Sequence, residues 1–194
     1  MNWKEAVRET LFTPKVAAER LIALNLNHQI LWSAVVLVAV LNALVVSLGM
    51  QLMPPDPEVL KIMPAVMRSP AMLAIFIAGG LVITIHALYW AGRMLGGQGA
   101  LGHVLVVLAW LQFLNVVVHV GLLLLSGLSP GVADTLSFVA SVWGIWILVA
   151  FLDAAHGFNN PIRAIAVLLL AFGLMMAGLF ILSVLIGSTV PGGA

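Results

Sequence analysis

The chain has 194 residues, of which 63% are hydrophobic and only 8% charged, with a net charge of +1 and no cysteine. An average soluble domain carries about 25% charged residues, so this composition excludes a water-facing globular surface and requires lipid as the main solvent. The balanced charge excludes a nucleic-acid-binding face, and the lack of cysteine excludes disulfides, thiolate metal centres and cysteine nucleophiles.

Residues 1–28 carry Lys4, Glu5, Arg8, Glu9, Lys15, Glu19, Arg20 and His28 among apolar positions. A cleavable leader would place a short apolar stretch directly after a basic start, so this segment is expected to be retained. Trp3, Val7 and Leu11 recur at helical spacing with Lys4, Glu5, Arg8 and Glu9 on the other face. That pattern predicts an amphipathic interfacial helix, whose apolar stripe serves equally a lipid surface or the underside of a bundle. Thr13-Pro14 then predicts a capped second helix, with proline in the first turn.

Five apolar stretches follow, at about 29–52, 71–92, 101–126, 136–152 and 162–186. Each approaches the roughly 20 residues that cross a hydrocarbon core. Backbone groups cannot be left unpaired in lipid, and no stretch alternates as barrel strands do, so each is expected to be a helix. The fold class is therefore all-α: a five-helix transmembrane domain over 29–186, preceded by the N-terminal segment and followed by a short tail at 187–194. Between the first two spans, residues 51–70 hold five prolines, which interrupt regular structure and leave room for a short surface helix from Glu58 to Met67.

Basic residues set the expected orientation. Lys4, Arg8, Lys15, Arg20, Arg93 and Arg163 share one side, against Lys61 and Arg68 on the other. The positive-inside rule then predicts a cytoplasmic N-terminus and a C-terminus on the opposite side.

The inner loops carry the most distinctive text. Gly96-Gly97-Gln98-Gly99 opens the third span with His103 soon after, and Asp153-Ala-Ala-His156-Gly157-Phe158-Asn-Asn-Pro161 joins the last two spans after Trp143 and Trp146. Gly157 suits a left-handed helix stop, and Asn160-Pro161 a cap and first turn, which predicts a tight helical hairpin. Arg93, Asp153, His156 and Arg163 all fall at this boundary, and an arginine at 93 or 163 is the expected partner of Asp153. In order and loop position these motifs resemble the bacterial branch of the Yip family, the Ypt-interacting-protein membrane domain, over roughly 14–186. The resemblance implies five membrane helices, an inner-membrane location and a scaffold that binds other membrane proteins. In eukaryotic members it implies roles in vesicle traffic and organelle shape.

Polar residues inside the spans are the remaining candidates: Asn42, His86, Gln112, Asn115 and His119. At 1.5 Å per residue, His86 and His119 lie at different depths, which argues against a shared metal or a haem held between them. A pigment or haem on a single histidine stays open. Asn42 and Asn115 fall at similar depth, so a hydrogen bond between them is allowed. Gln112, Asn115 and His119 share one helical face that should point into the bundle, as interhelical glue or as a narrow polar path. Gly79, Gly80, Gly173 and Ala177 should allow close helix packing, within the bundle or between subunits.

No His-Glu-x-x-His motif, nucleophile–base pairing or phosphate loop is present, so the expectation is a protein that is not an enzyme and has no cofactor. Its expected partners are the lipid bilayer and other membrane proteins or further copies of itself. A solute or lipid transporter or channel component is the alternative, although no charged residue falls well inside a predicted span.

Overall fold

A computed structural model describes residues 2–64 and 68–189, with side-chain surroundings as far as Ile181. All regular structure among the described residues is helical: α1 Trp3–Phe12, α2 Pro14–Ala23, α3 His28–Leu52, α4 Pro57–Ile62, α5 Pro70–Met94, α6 Leu101–Ser126, α7 Pro130–His156 and α8 Pro161–Thr189. Five of them, α3 and α5 to α8, are long and apolar enough to cross a membrane.

Local chemistry sets the ends. The Asn27 side chain accepts from the Ile30 N–H at 2.8 Å to start α3, and Asp56 accepts from Glu58 at 3.0 Å to start α4. Proline occupies the first turn of α2, α4, α5, α7 and α8, where its missing N–H has no partner to lose. Thr13 holds the cap position of α2, but its hydroxyl turns back to the Glu9 carbonyl instead of capping. In the 51–70 connection the helix stops at Ile62, short of the expected Met67, and residues 65–67 lie outside the described ones.

The fourth span is the main correction to the expected boundaries. It runs for 27 residues from Pro130, not from Leu136 to Leu152. Asp134, Ser137 and Ser141 lower the local hydropathy, yet all three sit on the exposed side of a continuous helix. The Ser141 hydroxyl is satisfied inside that helix by the Ser137 carbonyl at 2.8 Å.

Packing contacts run α3–α5, α5–α8, α8–α7, α7–α6 and α6–α3, which closes a ring of five, with α5 and α6 also touching across it. The near side carries the starts of α3, α6 and α8 and the ends of α5 and α7; the far side carries the 53–69 and 127–129 connections. Most of the core gathers toward the near side, with Ile85, Leu88, Ala91, Leu105, Val107, Phe151, Leu152, Ala164 and Val167 buried. From Asp134 to Trp146 on α7 and Phe172 to Ile181 on α8, nearly every side chain is exposed, so the core does not follow these helices to the far side.

The two N-terminal helices form a hairpin clasped by Arg20, which pairs with Glu5 at 2.9 Å and Glu9 at 2.8 Å. The hydrogen bond to Glu5, followed by the charge of Glu9, holds the Arg20 guanidinium above its ordinary pKa. This hairpin packs on the flank of α6 and α7. The Trp110 indole donates to the Thr10 hydroxyl at 2.9 Å, the Trp143 indole donates to the Leu11 carbonyl at 3.1 Å, and Trp3 lies edge-on to Trp110 and Phe113 at 5.3 Å each. Trp143 and Trp146 are 45% and 47% exposed.

Candidate functional site

The densest polar construction lies on the near side, where the α5–α6 loop meets the α7–α8 hairpin. Gly157 takes the left-handed conformation at φ 66° and ends α7, and Asn159 follows at φ 51°. The Asn160 side chain then accepts from the Ile162 N–H at 3.0 Å to begin α8. The hairpin predicted from Gly157, Asn160 and Pro161 is present as expected.

Inside that turn Asp153 is buried, and both of its oxygens are used. Oδ1 accepts the Asn160 N–H at 2.7 Å, and Oδ2 pairs with the Lys15 ammonium at 2.9 Å. Lys15 also donates to the Asn159 side-chain oxygen at 2.8 Å. A buried carboxylate is tolerable only when paired and hydrogen-bonded, and this one has both. The partner is therefore Lys15 of α2, and neither arginine expected beside Asp153 reaches it. Arg93 instead donates to the Gly97 carbonyl at 3.4 Å, closing its own loop, and Arg163 makes no ion pair among the described residues.

His156, at 1% exposure, is enclosed by glycine backbone. A Cβ on Gly92 would run into its imidazole, and a Cβ on Gly97 would come within 2.9 Å of its Cβ and 2.8 Å of the Gly92 carbonyl. On Gly99 a Cβ would collide with the Ala155 carbonyl. The loop and α7 are joined by the Gln98 N–H donating to the His156 carbonyl at 3.0 Å, and Phe158 covers the ring at 5.4 Å. Neither imidazole nitrogen makes a hydrogen bond of good geometry, and the Leu88 backbone is the polar group set against the packed ring. Asp153 and His156 thus fall in one joint that Lys15, Gln98 and the three glycines complete. Lys15 escapes a local reading because its partner is distant in the chain.

The intramembrane candidates are not brought together. Asn42 donates to the Val38 carbonyl of its own helix at 2.9 Å and not to Asn115. His86 meets the Val82 carbonyl at 2.8 Å and stacks on Trp32 with centroids 6.0 Å apart. On α6, Gln112 is half-buried and Asn115 and His119 are exposed, which corrects the expectation of an inward-pointing stripe. The His119 ring is satisfied by the Asn115 carbonyl at 2.9 Å, and such a bond within one helix removes the need for a partner across the bundle.

Of the two uses expected for the small residues, packing within the bundle is not seen. A Cβ on Gly79, Gly80 or Gly173 would meet nothing within 4 Å, and Ala177 is exposed, so none of the four supports packing within this chain. The glycines that do allow close approach are Gly92, Gly97 and Gly99. Among the described residues no group of three His, Asp or Glu side chains is placed to hold a metal ion.

A comparison with protein-family profiles matches the Yip1 domain over residues 8–182. No curated protein and no solved structure matches the chain. The match takes in the hairpin lysine, the glycine loop, the Asp153–His156 joint and most of all five spans, and on that extent the chain belongs to the Yip family.

Proposed function

We propose that this protein is a noncatalytic membrane scaffold or assembly factor that acts through contacts with other membrane proteins or with lipid. The observation that carries the reading is the division of labour between its polar and its small residues. Three charged groups of the near side are consumed in holding the chain together: Asp153 by Lys15 and Asn160, Arg20 by Glu5 and Glu9, and Arg93 by its own loop. The small residues Gly79, Gly80, Gly173 and Ala177 face outward from α5 and α8 with nothing over them. In lipid, where apolar side chains gain little by leaving the solvent, such small-residue faces let another helix approach closely.

The Yip family is a family of membrane proteins, which agrees with this reading. Of the stripe on α6 that motivated a transport pathway, Gln112 is half-buried and Asn115 and His119 are exposed, so it is not enclosed by the bundle. We place the protein in a bacterial inner membrane with the near side cytoplasmic. Lys4, Arg8, Lys15, Arg20, Arg93 and Arg163 sit on the near-side segments, and only Lys61 and Arg68 on the far-side connection.

The test is extraction of the full chain in a mild detergent, followed by identification of bound proteins for the unaltered chain and for Gly173→Leu with Gly80→Leu. A stoichiometric membrane partner, or a second copy, lost in the double variant at unchanged melting temperature is the expected result. Retention of every partner by the double variant would sink the proposed surface.

A further inference from the structure

At the far side an open cleft of about 300 Å³ is lined by residues of α3, α6 and α7. That is the lower end of the volume range of small-molecule sites. Its apolar lining is Val45 and Val46 of α3 with Leu122 and Leu123 of α6. Its polar lining is His119 and Ser126, on the same face of α6 as Leu122 and Leu123, with Asp134 and Ser137 of α7. Asp134 is the fifth residue of α7 and Ser126 the last of α6, while His119 and Ser137 each lie seven positions from the far-side end of their helix. At 1.5 Å per residue the cleft therefore reaches from the helix ends to a depth of roughly 10 Å. That depth covers the headgroup and the first part of an acyl chain.

The polar lining has a definite hydrogen-bonding character. The His119 Nδ1 faces the Asn115 carbonyl at 2.9 Å, and a carbonyl can only accept, so in the neutral ring Nδ1 carries the proton and Nε2 is an acceptor. The Ser126 hydroxyl spends its proton on the Leu123 carbonyl at 2.7 Å, leaving its oxygen to accept. Asp134 is a carboxylate with no cationic partner among the described residues. The lining thus offers acceptors and one uncompensated negative charge beside an apolar surface.

We propose that this cleft binds a membrane lipid whose headgroup ends in a primary ammonium, an aminolipid of the phosphatidylethanolamine type. The ammonium pairs with Asp134, and the upper acyl chain lies along Val45, Val46, Leu122 and Leu123. The three N–H donors of a primary ammonium match an acceptor-rich lining. A quaternary trimethylammonium has no donor to give, and an anionic headgroup meets the Asp134 charge with the wrong sign. This inference stands apart from the scaffold reading, and either can fail alone.

Native mass spectrometry of the full chain, released from mixed micelles holding equal amounts of phosphatidylethanolamine, phosphatidylcholine and phosphatidylglycerol with matched acyl chains, tests it. Charge-assisted hydrogen bonds predict that phosphatidylethanolamine is retained about tenfold over each of the others. Asp134→Asn, which keeps size and shape, should bring the three to parity, and Asp134→Glu should keep the preference. Equal retention of all three by the unaltered chain, or a preference for phosphatidylglycerol, overturns the proposal before any variant is needed. Headgroup selection that survives Asp134→Asn overturns it too. Ser137→Leu, which fills the cleft without changing charge, should lower retention of the bound lipid, and unchanged retention would place the lipid elsewhere.

Discussion

Replacing Gly99 by alanine should be among the most damaging single-methyl additions to this molecule. The new Cβ meets the carbonyl of Ala155, a backbone atom in a well-packed helix end that no rotamer change can move. The loop must lift, and lifting it strains the bond from the Gln98 N–H to the His156 carbonyl at 3.0 Å. Overpacking of this kind costs about 1–3 kcal/mol, and the hydrogen bond adds about 1 kcal/mol, giving a loss of about 2–4 kcal/mol. Gly80→Ala is the matched control. Its Cβ meets nothing within 4 Å, and alanine favours the helix over glycine by up to about 1 kcal/mol. For a chain of this size, 1 kcal/mol moves a melting midpoint by about 2–4 °C, so the two variants should separate by at least about 4 °C. Thermal unfolding in one detergent, followed by the loss of monodisperse protein, measures it. Equal midpoints for Gly99→Ala and Gly80→Ala would refute the close approach of the loop to α7.

The Lys15–Asp153 pair predicts that Lys15→Met destabilises by about 1–2 kcal/mol, less than a fully buried pair would lose because Lys15 is 39% exposed. A double-mutant cycle with Asp153→Asn should show coupling of that order, whereas cycles of Asp153→Asn with Arg93→Gln or Arg163→Gln should show none. Thr10→Val removes the acceptor of the Trp110 indole and should weaken docking of the N-terminal hairpin by about 1 kcal/mol, read as faster protease cleavage within residues 2–27 while the spans stay protected. Because the chain has no cysteine, single cysteines at Asn159 and Leu128 report topology without further change. An impermeant thiol reagent added to intact bacterial cells should label Leu128→Cys and not Asn159→Cys, and the reverse pattern would invert the proposed orientation.

Much of this architecture is legible in the chain because lipid imposes a length rule that few sequences meet by accident. The first, second, third and fifth apolar runs correspond to α3, α5, α6 and α8 within a few residues. The fourth reads short because hydropathy averages Asp134, Ser137 and Ser141 with their neighbours, although these residues face outward on a helix already begun at Pro130. The near-side joint is half legible. Gly157 and Asn160-Pro161 announce a turn through local backbone needs, and the glycine loop announces a close approach without saying to what. The partner of Asp153 is illegible, since Lys15 lies on α2 and looks like any boundary charge, while Arg93 and Arg163 are nearer its loop in sequence. Gly79, Gly80 and Gly173 announce room for a close contact without saying whether it is made within the chain or with a partner, and within the chain they meet nothing.

The scaffold reading rests most directly on whether the outward faces of α5 and α8 are occupied in the membrane. Cysteines placed at Gly80 and Gly173, cross-linked in native membranes before any detergent is added, measure this. The account predicts a discrete cross-linked species, a second copy or another membrane protein, that is abolished when leucine replaces Ala177. A chain that yields only uncross-linked monomer from both positions would contradict it.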